Sequence, residues 1–195
     1  MEKTLLGKFQ LKEISKEEYD EFRAIQEPLI FPDRFDIHVS KNFSEKEITQ
    51  RESLKKNLGT PFELRLGFFS DQKMIGWSYG FQITEETFRM ATSGIIPEFQ
   101  NKGIYSSFLL ELKTLLGQEG FQIIQSRHYA TDNQVIIPKL KAGFVISGLE
   151  ISDEYGLLLI LRYFFNETRK KVMHVRSGYQ QADQSVTELI RKYSN

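Results

Sequence analysis

An apolar helix held between two strands constrains this chain more than any other feature. After Gly103, the residues Ile104, Phe108, Leu112 and Leu115 recur at helical spacing, and Tyr105, Leu109 and Leu116 widen the stripe. A helix with so broad an apolar face packs directly onto a sheet. Strands lie on both sides of it. Upstream, Phe88, Met90 and Thr92 alternate and run through Gly94-Ile95-Ile96 to Pro97; downstream, Phe121 to Tyr129 centres on Ile123 and Ile124. The chain is therefore expected to be α/β.

The flanking segments extend that pattern. Phe9 and Leu11 alternate with polar residues and predict a first strand from Lys8 to Ile14. Ser15-Lys16-Glu17-Glu18 and Ser44-Glu45-Lys46-Glu47 read as capping boxes. The first helix is expected to end before Pro28, and the second to reach about Leu58, where Gly59 stops it. Leu64, Leu66 and Phe68, the turn Asp71-Gln72-Lys73 and the return from Met74 to Ile83 form a predicted hairpin. A short helix is expected from Asn133. Strands from Phe144 to Ile151 and from Gly156 to Phe165 follow, joined by Ser152-Asp153-Glu154-Tyr155. A third capping box, Ser185-Val186-Thr187-Glu188, opens a tail helix with Val186, Leu189, Ile190 and Tyr193 on one face. That stripe reads as intramolecular packing, with a homodimer contact as the alternative. The expectation is a single domain over 1–165, with a mixed central sheet of about six to seven strands flanked by helices, and a helical extension over 166–195.

Composition narrows the function classes. The 195 residues suffice for one compact domain. Lys+Arg and Asp+Glu both number 26, so no basic excess argues for a nucleic-acid partner. There is no cysteine, which removes a disulfide framework, a thiolate metal site and a covalent Cys intermediate. No metal cluster is evident. The start of the sequence lacks the apolar core of a signal peptide, and the longest strongly apolar run, Gly156 to Leu161, is too short to span a bilayer. A cytoplasmic protein with no membrane partner is expected.

The stretch from Ile95 to Tyr105 carries the chemistry. It places a glycine-containing loop between a strand and a helix, leaving backbone N–H groups unpaired at the helix start with the positive end of the dipole behind them. Such a terminus binds a pyrophosphate. Gly103 lets phosphates approach the amides, Lys102 adds positive charge, and Ser106 and Ser107 add hydroxyls. The stretch Gln100-Asn101-Lys102-Gly103-Ile104-Tyr105 resembles the Gln/Arg-x-x-Gly-x-Gly/Ala signature of the GNAT superfamily of acyl-CoA-dependent N-acetyltransferases. It matches at Gln100 and Gly103 and departs at Tyr105. The long helix, the next strand, Asn133 and Gly143-Phe144 follow in the order usual for that superfamily.

The resemblance implies a GNAT-like fold and acetyl-CoA, or a related acyl-CoA, as co-substrate. Backbone groups of Ile95 and Ile96 would then pair with the pantetheine arm, amides from Gln100 to Tyr105 (Gln100, Asn101, Lys102, Gly103, Ile104, Tyr105) would hold the pyrophosphate, and Asn133 would contact the cofactor arm. The chemistry implied is direct attack by a primary amine of a small molecule or peptide. Many family members place an acidic Tyr where this chain has Lys139, beside Pro138. Tyr129 and His128 are the candidate substitutes, and the acid itself stays unassigned. Glu98 reads as a solvated carboxylate, and Phe31, Phe35 and Phe43 as packing residues that could line an acceptor pocket. Two further readings stand beside the enzyme: a catalytically silent acyl-CoA-binding module, and a nucleotide-binding protein. The second is disfavoured because the loop lacks the Gly-x-x-x-x-Gly-Lys-Ser/Thr form.

Overall fold

The computed structural model describes residues 2–32 and 42–193. Phe35 and His38 lie outside the described residues, as do the side chains of Ile190 and Tyr193. The chain begins with a hairpin of β1 (Glu2–Leu5) and β2 (Phe9–Glu13). Only β2 was expected. In β1 Leu5 alone is buried, so no alternation marks the strand.

Helix α1 (Lys16–Ile30) and helix α2 (Glu45–Lys55) both start in full capping boxes, Ser15 with Glu18 and Ser44 with Glu47. α1 does not end before Pro28 but runs through it to Ile30. Pro28 sits in the exposed last turn, so its missing N–H leaves only one internal carbonyl without its usual donor. A 3-10 turn, Lys56–Leu58, follows α2 and stops at Gly59, whose φ is +66°.

Strands β3 (Glu63–Ser70) and β4 (Lys73–Gln82) form the expected hairpin. Asp71 and Gln72 at its turn both have positive φ, the geometry that matches the twist of paired strands. Next come β5 (Thr87–Ile95), α3 (Ile104–Gln118), β6 (Ile123–Tyr129), α4 (Asn133–Lys141), β7 (Val145–Ser152) and β8 (Gly156–Phe164). Helices α5 (Glu167–Arg176) and α6 (Gln184–Tyr193) complete the chain. The capping box expected at Ser185 is not the one used. Asp183 Oδ1 accepts the Val186 N–H at 2.9 Å and the Ser185 hydroxyl at 2.6 Å, so the helix opens earlier.

Among the described residues the sheet is mixed, with eight strands in the order β1-β2-β3-β4-β5-β6-β8-β7, more than the six to seven expected, and of these only β5 and β6 pair in parallel. Helix α3 lays its stripe on one face. Phe108 and Leu109 are fully buried, and the Phe108 ring meets Phe68 edge-on at 5.1 Å. Each such side chain contributes about 1.5–3 kcal/mol through burial. Helix α1 covers the other face, with Tyr19 and Phe22 grouped around the fully buried Trp77. On that face α5 sets Met173 against Ile123, Val145 and Phe164, and Arg169 grips Glu86 through both guanidinium nitrogens. No helix among the described residues is long and apolar enough to cross a membrane.

Candidate functional site

The site begins where the sheet comes apart. β5 and β6 pair from Thr87↔Ile123 to Met90↔Ser126, yet β5 continues to Ile95 and β6 to Tyr129 without a partner between them. A bulge lies at the point of departure: Tyr79 faces Thr92 and Gly80 faces Met90, leaving Ala91 unmatched. A bulge bends its strand and increases the local twist, which turns the upper half of β5 away from β6. Gly80 permits the bend, because a Cβ there would meet the Phe88 ring at 2.4 Å and the Arg89 carbonyl at 2.5 Å. The strands open onto a cleft of about 960 Å³.

Alternation decides which backbone groups face this gap. The Ile96 N–H bonds to the Ile75 carbonyl at 2.9 Å, so Ile96, Gly94 and Thr92 turn their backbone groups toward β4. Ile95 and Ser93 turn theirs toward the cleft. The structure thus commits the Ile96 amide to the sheet and sets Ser93 beside Ile95, a residue the sequence reading did not single out. The Ile95 carbonyl receives a 2.8 Å hydrogen bond from the Gln100 side-chain amide. That bond ties the start of the loop to the strand end and explains a glutamine at this position.

The loop from Gln100 to Tyr105 lines the cleft throughout. Asn101 and Gly103 have φ of +58° and +78°. Alternating left-handed residues of this kind form a concave nest of amides. Helix α3 starts after Gly103 without a side-chain cap and without an acidic residue in its first turn. Its first internal bond is Ser107 N–H to the Gly103 carbonyl, so the amides of Ile104, Tyr105 and Ser106 have no helical acceptor. Lys102 lies with its ammonium 4.7 Å from the centre of the Phe99 ring. Tyr105 packs on Phe108, with ring centres 5.9 Å apart, and burial together with Asp132 raises its phenol well above the usual range. Asn133 is exposed and does not line the cleft, whereas its neighbours Asp132 and Gln134 do. Glu98 is exposed and outside the lining; Phe43 is half-buried, stacks under Arg51 and is outside it too.

At the last rung of the β5–β6 ladder stands Lys139, with 0% of its surface exposed. Its Nζ donates to Ser126 Oγ at 2.8 Å and lies 3.0 Å from Met90 Sδ, while the Phe144 ring is centred 4.8 Å away. Helix α4 delivers it despite Pro138: the helix continues through the proline, whose carbonyl accepts the Ala142 N–H. Burial pushes the Lys139 amine down to about 7, with Asp132 opposing. His128 shares this pocket. Burial and then the Lys139 charge push its imidazole down to about 2, its Nδ1 is 4.0 Å from Asp132, and its buried Nε2 has no hydrogen-bond partner. Burial thus favours the neutral form of both groups, and a proton on Lys139 further opposes one on His128. Tyr129 lines the cleft from the end of β6, where the strand stays paired to β8 through Leu158. No cluster of acidic or imidazole groups able to hold a metal occurs among the described residues.

The opposite side of the gap is basic. Arg89 and Arg127 both line it; Arg127 pairs with Glu150, whereas the buried Arg89 Nε has no hydrogen-bond partner.

No protein-family model matches the chain, and no curated relative does. Solved structures do. The ribosomal-protein-S5-alanine acetyltransferase of Vibrio fischeri superposes with a TM-score of 0.62 at 12% identity, over 86% of this chain and 98% of that one. The yncA acetyltransferase of Salmonella typhimurium, solved with acetyl-CoA, gives 0.59 at 11% over 81% and 94%. A GNAT-family acetyltransferase of Desulfovibrio desulfuricans gives 0.55 at 15% over 80% and 98%. At such identities the likeness is one of fold, and the fold is that of the GNAT acetyltransferases.

Proposed function

We propose that this chain is an acyl-CoA-dependent N-acyltransferase that passes an acetyl or similar acyl group to a primary amine. The observation that carries the reading is the parted sheet: a cleft between β5 and β6 runs from the uncapped amides of α3 to the buried Lys139 amine. Amides of Ile104, Tyr105 and Ser106, with the nest from Asn101 to Gly103, suit a pyrophosphate. The edge at Ser93 and Ile95, which has no strand beside it and whose Ile95 carbonyl is met by the Gln100 side chain, suits an extended amide-bearing arm, which it would bind as an added strand. Acetyl-CoA supplies the activated acyl group. A thioester lying at the last rung would sit beside Lys139. As the amine nitrogen bonds to the acyl carbon and the carbon–sulfur bond breaks, the electron pair leaves on sulfur. The Lys139 ammonium gives that sulfur a proton, and the neutral amine then takes one from the newly acylated nitrogen. An ammonium titrating near 7 is a stronger acid than an ordinary thiol, so the transfer runs downhill.

The reading is tested by calorimetric titration of the purified chain with acetyl-CoA, CoA and ATP, repeated on Gly103→Glu, followed by a panel of amines. Micromolar binding of acetyl-CoA, absent for ATP and lost in the variant, is expected, with acyl transfer to at least one amine. A folded wild-type chain that binds neither CoA species refutes the assignment. Binding without any transfer leaves the silent acyl-CoA-binding module as the function.

A further inference from the structure

From the basic side of the gap we infer that the acceptor is an amine that also carries a carboxylate, of the amino-acid class with an apolar side chain, and that Arg89 receives the carboxylate. The inference rests on the acyltransferase reading for its account of what the bound amine undergoes, though the anion site is defined by the structure alone.

Strand alternation places Arg89 and Met90 on opposite faces of the sheet. Met90 meets Lys139 on the α3–α4 side. Arg89 therefore projects to the α1 side, one residue from the point where Lys139 sits. It is partly buried, and burial and the nearby Arg127 both lower its pKa, with Glu150 acting against them. Glu150 is engaged by Arg127, and the Gln125 side-chain carbonyl by Arg162. Among the described residues, no carboxylate lies within ion-pair distance of Arg89. A guanidinium drawn out of water beside a second cation, with a buried N–H unpaired, is costly until an anion arrives. Arg89 and Arg127 against Glu150 leave one positive charge, which fits a monoanion. The planar guanidinium fork fits a carboxylate with two parallel hydrogen bonds. The cleft that Arg89 lines also carries apolar side chains, among them Ile30, Phe31, Phe81 and Leu158. An acceptor of the amino-acid class, with its amine toward Lys139 and its carboxylate on Arg89, would present an apolar side chain to that wall.

The test uses product-like ligands, so that it does not depend on turnover. The full chain, with and without CoA, is titrated with N-acetyl-leucine and N-acetyl-phenylalanine, and with the acetamides of isoamylamine and phenethylamine, which differ only in lacking the carboxylate. The carboxylated ligand of each pair is expected to bind on the order of tenfold to a hundredfold tighter, as loss of a charged hydrogen-bonded partner implies. That preference is expected to collapse in Arg89→Met and to fall partway in Arg89→Lys, which keeps the charge but not the fork. Acetyl-CoA titration of each variant reports whether it is folded, and the ligand pairs on the wild-type chain test the inference without any variant. Equal affinity within the pairs overturns it, and so does a preference that survives in folded Arg89→Met. A carboxylate preference in a chain that binds no CoA upholds the anion site while sinking the acyltransferase reading.

Discussion

Replacing Lys139 by methionine should make the protein more stable at neutral pH, although it removes a hydrogen bond. Lys139 is fully buried, and its amine is moved from an ordinary 10.5 down to about 7. A displacement of that size costs folding on the order of 4 kcal/mol at pH 7, because the unfolded lysine stays charged in water while the folded one must lose its proton or bury the charge. Methionine has nearly the same length and no charge. Its substitution relieves the cost but leaves the Ser126 hydroxyl without the bond it now shares with Nζ, a loss of about 1–3 kcal/mol. The net expectation is a gain of about 1–3 kcal/mol at pH 7. The sign of the pH dependence follows from proton binding. Between about pH 7 and 10.5 the unfolded state holds more protons on this group than the folded state, so this lysine's penalty fades as pH rises. Urea denaturation of both proteins at a series of pH values measures the difference directly, with other titrating groups cancelling between them. The advantage of Lys139→Met should shrink by roughly 3 kcal/mol between pH 7 and pH 10. A difference that stays constant across that range, or a variant less stable at pH 7, would show that the buried amine is not strained by its charge.

The same substitution should lower kcat for acyl transfer by roughly a hundredfold to ten-thousandfold while acetyl-CoA still binds, and the loss of activity above pH 7 that the Lys139 acid predicts for the wild type should be absent from the variant; an unchanged kcat in steady-state assays would remove Lys139 from the chemistry. Gly80→Ala should destabilise the chain by about 1–3 kcal/mol in urea denaturation, because a Cβ there meets the Phe88 ring and the Arg89 carbonyl and the bulge must move. A neutral result would mean that the opening of β5 from β6 does not depend on that close contact.

Much of the architecture could be read from local pattern. The capping boxes at Ser15 and Ser44, the hairpin around Asp71 and Gln72, and the stripe of α3 each advertise themselves within a dozen residues, and all are present. The features that escaped have causes beyond the local window. β1 buries only Leu5, so it carries no period of its own and is held by pairing with β2. Helix α5 has no buried residue and docks through Met173 and the Arg169–Glu86 pair, contacts between segments far apart in sequence. Pro28, which was expected to end α1, lies where a single lost backbone bond is tolerated, and so does Pro138 in α4. At the site, the loop from Gln100 to Tyr105 was visible because a strand, a glycine and an apolar helix together announce a turn with unpaired amides. Lys139 was visible only as a residue out of place. Its burial is produced by Met90, Ser126 and Phe144, which come from three other elements, and no spacing in the sequence encodes that meeting. Arg89 was silent for the same reason: an arginine on a strand looks like any solvated cation until Glu150 is seen to belong to Arg127.

The short parallel ladder between Thr87–Met90 and Ile123–Ser126 also gives the domain a mechanical character. On one side of it β1 to β5 form a continuous antiparallel sheet, and on the other β6, β8 and β7 form a second. The eight strands are two panels stitched along a seam, with α3 and α4 as the backing. The Ser93 and Ile95 amides face the gap with no strand opposite, so they should exchange with solvent before those of β3 and β4. Any molecule lying in the gap and bonding to both margins would act as the missing stitch. It would slow exchange on each panel at once and raise the unfolding free energy of the whole domain by mass action.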